Sequence, residues 1–261
     1  MVSRGKGISH VFQRYLSTCI LSRKKMNADI AVMRIDYKLG VQLDADCLPV
    51  KNPMSLFEMW FTEAKDCEKI EEPNAMTLAT STRTGIPSAR IVLLKGFDKR
   101  GFRFYTNYQS RKGKELEENP NAALIFFWPP LQKQIRIEGK VIKLSVEESV
   151  KYFHSRPVGS QIGACVSHQS VPIPSRQVLI DKETELKEKF AKREEIPKPD
   201  FWGGYLVDPK IFEFWQGQSN RLHDRIQFKR AGYEQSRDES LDASNCWKNG
   251  EDGWIYSRLS P

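Results

Sequence analysis

Residues 75–106, AMTLATSTRTGIPSARIVLLKGFDKRGFRFYT, hold three strand signals and two turns in a short space. Ala75–Ser81, Ser88–Lys95 and Gly101–Thr106 are rich in β-branched, aromatic and aliphatic residues, while Arg83-Thr84-Gly85 and Asp98-Lys99-Arg100-Gly101 supply turn chemistry. Strands joined this tightly have no room for crossover helices, so they predict antiparallel neighbours. Outward from this block the pattern repeats. Ala122–Trp128 and Gln134–Leu144 flank Pro129-Pro130, and Trp202–Val207, Ile211–Gln216, Arg225–Lys229 and Trp254–Arg258 close the chain. Many short strands without β-α-β alternation favour a mainly β, antiparallel barrel over a parallel sheet.

A few helices interrupt the strands. Pro53 at a first helical position opens a helix from Met54 to about Lys69, with Leu56, Phe57, Trp60 and Phe61 as its apolar stripe. Ser110 caps Arg111–Glu118, and Ser145 caps Glu147–His154 with Glu148 completing a capping box. A charge-alternating helix from about Arg176 to Glu194 presents a solvated face and stops at Pro197-Lys198-Pro199.

With 261 residues, 39% hydrophobic, the chain is long enough for one sizeable core. The formal net charge of +8 is unevenly placed: residues 1–28 carry Arg4, Lys6, Arg14, Arg23, Lys24 and Lys25 and no acid. The body is therefore only mildly basic, which suits small phosphorylated ligands better than nucleic acid. We expect a tail over 1–28, an N-terminal extension over 29–52 and one domain over 53–261. The acid-free tail reads either as a mitochondrial transit peptide or as an extension outside the fold. Five scattered cysteines with no Cys-x-x-Cys spacing indicate neither a disulfide framework nor a zinc site, and so a reducing, cytoplasmic setting with mitochondrial import left open by the tail. No apolar run approaches the roughly 18 residues of a membrane span.

Chemistry concentrates in Trp215-Gln-Gly-Gln-Ser-Asn-Arg-Leu-His-Asp-Arg225. If residues 221–225 are extended, the period of two sets Arg221, His223 and Arg225 on one face; otherwise the stretch is a polar loop. Arg90 sits in an apolar strand and needs an anion or a route to water. Lys95, five residues on, faces the other side unless a bulge intervenes. Arg111 and Lys112 follow a cap serine at a helix start, where backbone N–H groups favour phosphate. Tyr152 and Arg156 share a helix face, and Pro157 biases Arg156 out of the helix, so that Ser160 arrives from a loop. Gln134, Arg136 and Glu138 read as the wet side of a strand. Glycine-rich phosphate loops and metal-binding spacings are absent, so side chains must hold any phosphate.

The segments FWQGQSNRLHDR, AMTLAT, SARIVLLKGF, YTN, SRKGKEL, QIRIEG, YFHSRP, SQIG, SHQS and WGGY, spread from about residue 53 to the end, resemble those of the pyridoxine (pyridoxamine) 5'-phosphate oxidase family. The resemblance implies an FMN-binding split barrel, an antiparallel Greek-key barrel with peripheral helices, built as a homodimer with flavin at the interface. It implies FMN contacts from Arg90, Ile91, Val92, Leu93, Tyr105, Thr106, Arg111, Lys112, Gln134, Gln169, Ser170, Trp215 and Arg225. Lys95, Tyr152, Arg156 and Ser160 would clamp the substrate phosphate. Arg221, Leu222 and His223 would cover the substrate ring, with Arg221 and His223 positioning and polarising it, and Arg34 and Tyr37 match a segment that folds over the site. The implied reaction is oxidation of pyridoxine or pyridoxamine 5'-phosphate by dioxygen to pyridoxal 5'-phosphate, with hydrogen peroxide, and ammonia from the amine. A flavin reductase using a nicotinamide cofactor, or a non-catalytic flavin or haem binder on the same barrel, is the alternative; the second would lack the phosphate clamp.

Overall fold

The computed structural model describes residues 33, 37, 42–191, 195–233 and 246–261. Contacts divide the chain into Met1–Asp36 and Tyr37–Pro261, and every element below belongs to the second unit. The strands are β1 (Ala75–Ser81), β2 (Pro87–Leu93), β3 (Gly96–Asp98), β4 (Gly101–Asn107), β5 (Asn121–Trp128), β6 (Lys133–Lys143), β7 (Trp202–Gln216), β8 (Asp224–Arg230), β9 (Lys248–Asn249) and β10 (Trp254–Arg258). The helices are α1 (Pro53–Asp66), α2 (Arg111–Glu118), α3 (Val146–Ser155), α4 (Val158–Val166) and α5 (Gln177–Phe190), with one 3-10 turn at Pro129–Leu131.

Each ladder is antiparallel. The hydrogen-bonded order runs β2-β1-β5-β6-β7-β8-β10-β9, and β4 joins both β3 and β7. The sheet therefore branches at β7: its first half pairs β4 and its second half pairs β8, with β6 along the other side. The ring of β1, β5, β6, β7, β4 and β3 is completed by chain continuity, because β2 runs into β3 through Leu94 and Lys95, whose N–H donates to Arg103 O at 2.8 Å. β2 ends at Leu93, so Lys95 lies outside the strand whose alternation would set it opposite Arg90.

Inside the ring the alternating faces of β1, β4, β5, β6 and β7 deliver Leu78, Phe102, Phe104, Phe126, Ile135 and Phe214, all fully buried. Helix α1 plugs it. Asn52 caps α1 by accepting from Met54 N at 2.9 Å, and Phe57 meets Phe102, Phe97 and Phe126 at ring distances of 4.8, 5.0 and 5.2 Å. A smaller core of Phe153, Ile162, Leu186, Ile196 and Trp202 lies under α3, α4 and α5.

The structure corrects several expected bounds. α1 ends at Asp66 rather than near Lys69, and α5 spans Gln177–Phe190, the expected end near Glu194 lying outside the described residues. The two strands expected over 202–207 and 211–216 are one strand, β7, that carries Pro209. Ser160 stands in helix α4, not in a loop, because Pro157 caps the next helix as well as ending α3. Ser145 caps α3 through Glu148 N at 3.1 Å, but the Glu148 carboxylate pairs with Arg100. Among the described residues no helix is long and apolar enough to cross a membrane.

Candidate active site

Three clusters emerge, and the first surrounds the start of α2. Ser110 caps that helix, and Gly113 is required there because a Cβ would lie 2.1 Å from Tyr108 O. This close packing sets Arg111 and Lys112 beside the end of β4. Lys112 Nζ donates to Gln169 Oε1 at 2.8 Å and Thr106 Oγ1 at 3.2 Å, while Asn107 Nδ2 holds the 167–170 loop through Ser167 O at 3.1 Å. Among the described residues no carboxylate pairs with Lys112. Burial, then the neighbouring Arg90, push its pKa below the ordinary lysine value against the pull of Glu115.

Glu115 organises the two arginines. Its carboxylate, 5% exposed, accepts from Arg111 Nε at 2.8 Å and pairs with Arg90 at 3.4 Å, and Thr80 donates to it at 2.5 Å. Burial alone would raise its pKa, but the bonds from Thr80 and Arg111 and the charge of Arg90 hold it below the usual carboxylate range. Arg90 also donates to Leu78 O at 3.2 Å and to the hydroxyls of Thr80 and Ser88. Sequence reasoning passed over Glu115, although its i,i+4 spacing from Arg111 was a usable signal.

The second cluster is a stack of rings. Tyr105 of β4 lies 3.8 Å from Tyr152 of α3 with 19° between planes, and Trp202 lies 5.6 Å from Tyr105. The Arg156 guanidinium sits 4.7 Å above Trp202 and donates to Ser160 O at 2.5 Å. Its Nη1 is buried and has no hydrogen-bond partner among the described residues, and burial lowers the guanidinium's pKa. Tyr152, Arg156 and Ser160 are thus together, but no hydrogen bond or ion pair of the described residues joins the exposed Lys95 side chain to them. Trp202, absent from the expected site, is the platform under Arg156.

The third cluster lies on the outer face of β6, β7 and β8, where Gln134, Trp215 and Arg225 are register partners. Arg225 Nε donates to Glu213 Oε1 at 2.9 Å, and Arg136 reaches Glu213 Oε2 at 2.6 Å. Burial would raise the Glu213 pKa, yet the Arg225 and Arg136 contacts hold it low. Ile91 is exposed on the same face at the β2 end of the sheet, whereas Val92 packs its side chain against the core and Leu93 is half-buried.

Residues 221–225 are not one extended strand. Arg221 has φ +66°, and β8 begins only at Asp224, so the common face expected for Arg221, His223 and Arg225 is not formed. Arg221 and Leu222 are exposed at the loop tip, while His223 lies 4.9 Å from Trp215 and 5.7 Å, edge-on, from Tyr37. Gln218 N donates to His223 Nδ1 at 3.0 Å. Ser170, like Arg221, adopts a positive φ, +72°. Arg34 and the tail over 1–28 lie outside the described residues.

A family model described as pyridoxamine 5'-phosphate oxidase matches residues 62–190, and one described as the pyridoxine 5'-phosphate oxidase C-terminal dimerisation region matches residues 202–261. The chain is 55% identical to pyridoxine-5'-phosphate oxidase of Bos taurus, covering 89% of this chain and 88% of that one. It is 50% identical to pyridoxine/pyridoxamine 5'-phosphate oxidase of Bombyx mori, covering 91% of each. Among solved structures, PhzG from Burkholderia lata 383, in complex with tetrahydrophenazine-1-carboxylic acid, matches with a TM-score of 0.73 at 29% identity over 86% of this chain and all of that one.

Proposed function

The chain belongs to the pyridoxamine 5'-phosphate oxidase family, and we propose that, as a homodimer holding FMN, it oxidises pyridoxine or pyridoxamine 5'-phosphate to pyridoxal 5'-phosphate. The observation that carries the cofactor assignment is Lys112, a partly buried ammonium answered, among the described residues, by a hydroxyl and an amide oxygen. Such a charge calls for an anion. Among the described residues Arg90, Arg111 and Lys112 stand against Glu115, leaving two positive charges, which match a phosphate monoester of about −1.5 to −2 at neutral pH. Gln134, Gln169, Ser170, Trp215 and Arg225 would supply further contacts to the flavin.

When bound, FMN supplies a two-electron acceptor for the hydride of the substrate's 4' carbon and a route for those electrons to dioxygen, giving hydrogen peroxide. The chain's own part is placement. Arg156 offers its unpartnered Nη1 to the substrate phosphate, with Tyr152 and Ser160 beside it and Lys95 free to join. Arg221, Leu222, His223 and Tyr37 cover the substrate ring and shield it from water. With the amine, water releases ammonia from the oxidised product.

Anaerobic mixing tests the reading: pyridoxine 5'-phosphate should bleach the flavin and NADPH should not, and the reverse would make the protein a flavin reductase. Arg156→Ala should weaken substrate about 10- to 100-fold and leave FMN bound, the loss of a charge-assisted contact, about 1.5–3 kcal/mol. Lys112→Ala should do the opposite. A common loss of flavin in both variants would erase the division between the two phosphate sites.

A further inference from the structure

Asp224 stands between His223 and Arg225, and neither ligand assignment uses it. The residue is 7% exposed, and its carboxylate joins three separate parts of the chain. Oδ2 accepts from Leu43 N at 3.1 Å and from the Gln218 side-chain amide at 2.7 Å, and Oδ1 accepts from Arg258 at 2.7 Å. Arg258 closes the loop by donating to Leu43 O at 2.8 Å. Both oxygens are engaged in a buried setting, so this acid holds structure rather than ligand.

What it holds is Gln218, itself 5% exposed, whose main-chain N–H points at His223 Nδ1 from 3.0 Å. A main-chain N–H can only donate, so Nδ1 is the acceptor and the neutral ring carries its proton on Nε2. Trp215 and Tyr37 flank the ring at 4.9 and 5.7 Å and fix its plane. We infer that Asp224 and Gln218 are positioning residues: Asp224 pins Gln218, and Gln218 sets His223 as an Nε2–H donor toward an acceptor atom of the substrate ring. His223 in this tautomer is not a general base. The assignment of that acceptor to the substrate rests on the proposed function; the tautomer does not.

The test uses flavin-loaded protein with 15N-labelled histidine, the His223 signals being identified by their loss in His223→Gln. Without substrate, long-range 15N–1H correlation of the unmodified protein should show the neutral ring protonated on Nε2. Gln218→Ala, which leaves the Asp224 contacts with Arg258 and Leu43 in place, should mix the two tautomers. It should also raise KM for pyridoxine 5'-phosphate about three- to tenfold, the loss of roughly one hydrogen bond, at unchanged FMN content and dimer mass. Asp224→Asn should reproduce that split, and the double variant should be no worse than the more affected single one. A proton on Nδ1 in the unmodified protein overturns the inference, and so does a Gln218→Ala protein with unaltered tautomer and KM. Failure of pyridoxine 5'-phosphate to bleach the unmodified protein would strike the proposed function, while the substrate-free spectra would still decide the tautomer.

Discussion

Two buried carboxylates, Glu115 and Glu213, are each shared by a pair of arginines, and each therefore fixes a guanidinium before any ligand arrives. Both acids titrate below the ordinary glutamate value in the fold. A depressed folded pKa contributes stability that is complete above the unfolded value, about 4.3, and is lost as pH falls from there through the lower folded value. Glu115→Gln removes that contribution. Stability at neutral pH should drop by about 2 kcal/mol, less than the roughly 3–5 kcal/mol of a fully buried pair because Arg111 keeps access to water. Denaturant titrations from pH 7 to pH 3 should show a shallower loss on acidification than in the unmodified protein; parallel curves would mean that Glu115 does not titrate in this window. Arg221 gives a second expectation. Its φ of +66° is costly for a side-chain-bearing residue, by about 1 kcal/mol or more. Arg221→Gly should stay within about 1 kcal/mol of the unmodified stability, because relief of strain offsets the freer unfolded chain. Flavin reduction should nevertheless slow in single-turnover experiments. Equal losses of stability and rate would make Arg221 a structural residue. The left-handed turn was not legible in the sequence, since Arg carries no signal for that conformation. Glu213 was equally hidden, because its partners Arg136 and Arg225 meet it only once three strands are in register.

Elements with strong local signals were read closely: β1, β10 and α2 have the bounds that their turn residues and cap predicted. Two of the misreadings, the break expected within β7 and the loop expected at Ser160, fall beside a proline. Pro209 lies within β7 because it sits at the register shift beside Glu138 and Gly139, at the point where β7 leaves β4 and has not yet met β8. Its missing N–H is harmless where no second strand pairs. Pro157 likewise starts α4. Helix α1 offers the test at this scale, since its cap reaches beyond the helix. Asn52 accepts from Met54 N at 2.9 Å and donates to Asp252 Oδ2 at 2.7 Å, tying the helix to the turn before β10. Asn52→Ala should cost about 1–2 kcal/mol, measured as a lower denaturant midpoint. An unchanged midpoint would show that burial of Phe57 and Trp60 alone sets the helix start.

Across the whole molecule, one sheet face unites exposed apolar residues with the Gln134, Trp215 and Arg225 cluster. Thr77 pairs Ile91 on one side and Ile125 on the other, and Phe127, Gln134, Trp215 and Arg225 follow one another across β5, β6, β7 and β8. Ile91 is 64% and Phe127 50% exposed in the single chain, a patch that favours burial against another surface. The family's dimerisation region matches residues 202–261, which supply the adjoining β7, β8 and β10. This adjacency was not legible in the sequence, where Ile91 and Trp215 are far apart and read as separate motifs. It leads to the expectation that dimerisation and flavin binding are one event. Ile91→Asp places a charge on the apolar half while disturbing little within the chain, because the side chain is exposed there. Light scattering should report a shift toward monomer, and equilibrium titration should report a parallel loss of FMN affinity, both reversed by raising protein concentration. A variant that is monomeric and still binds FMN as tightly as the unmodified dimer would confine the flavin site to one chain, and would leave the exposed Ile91 and Phe127 without a part in it.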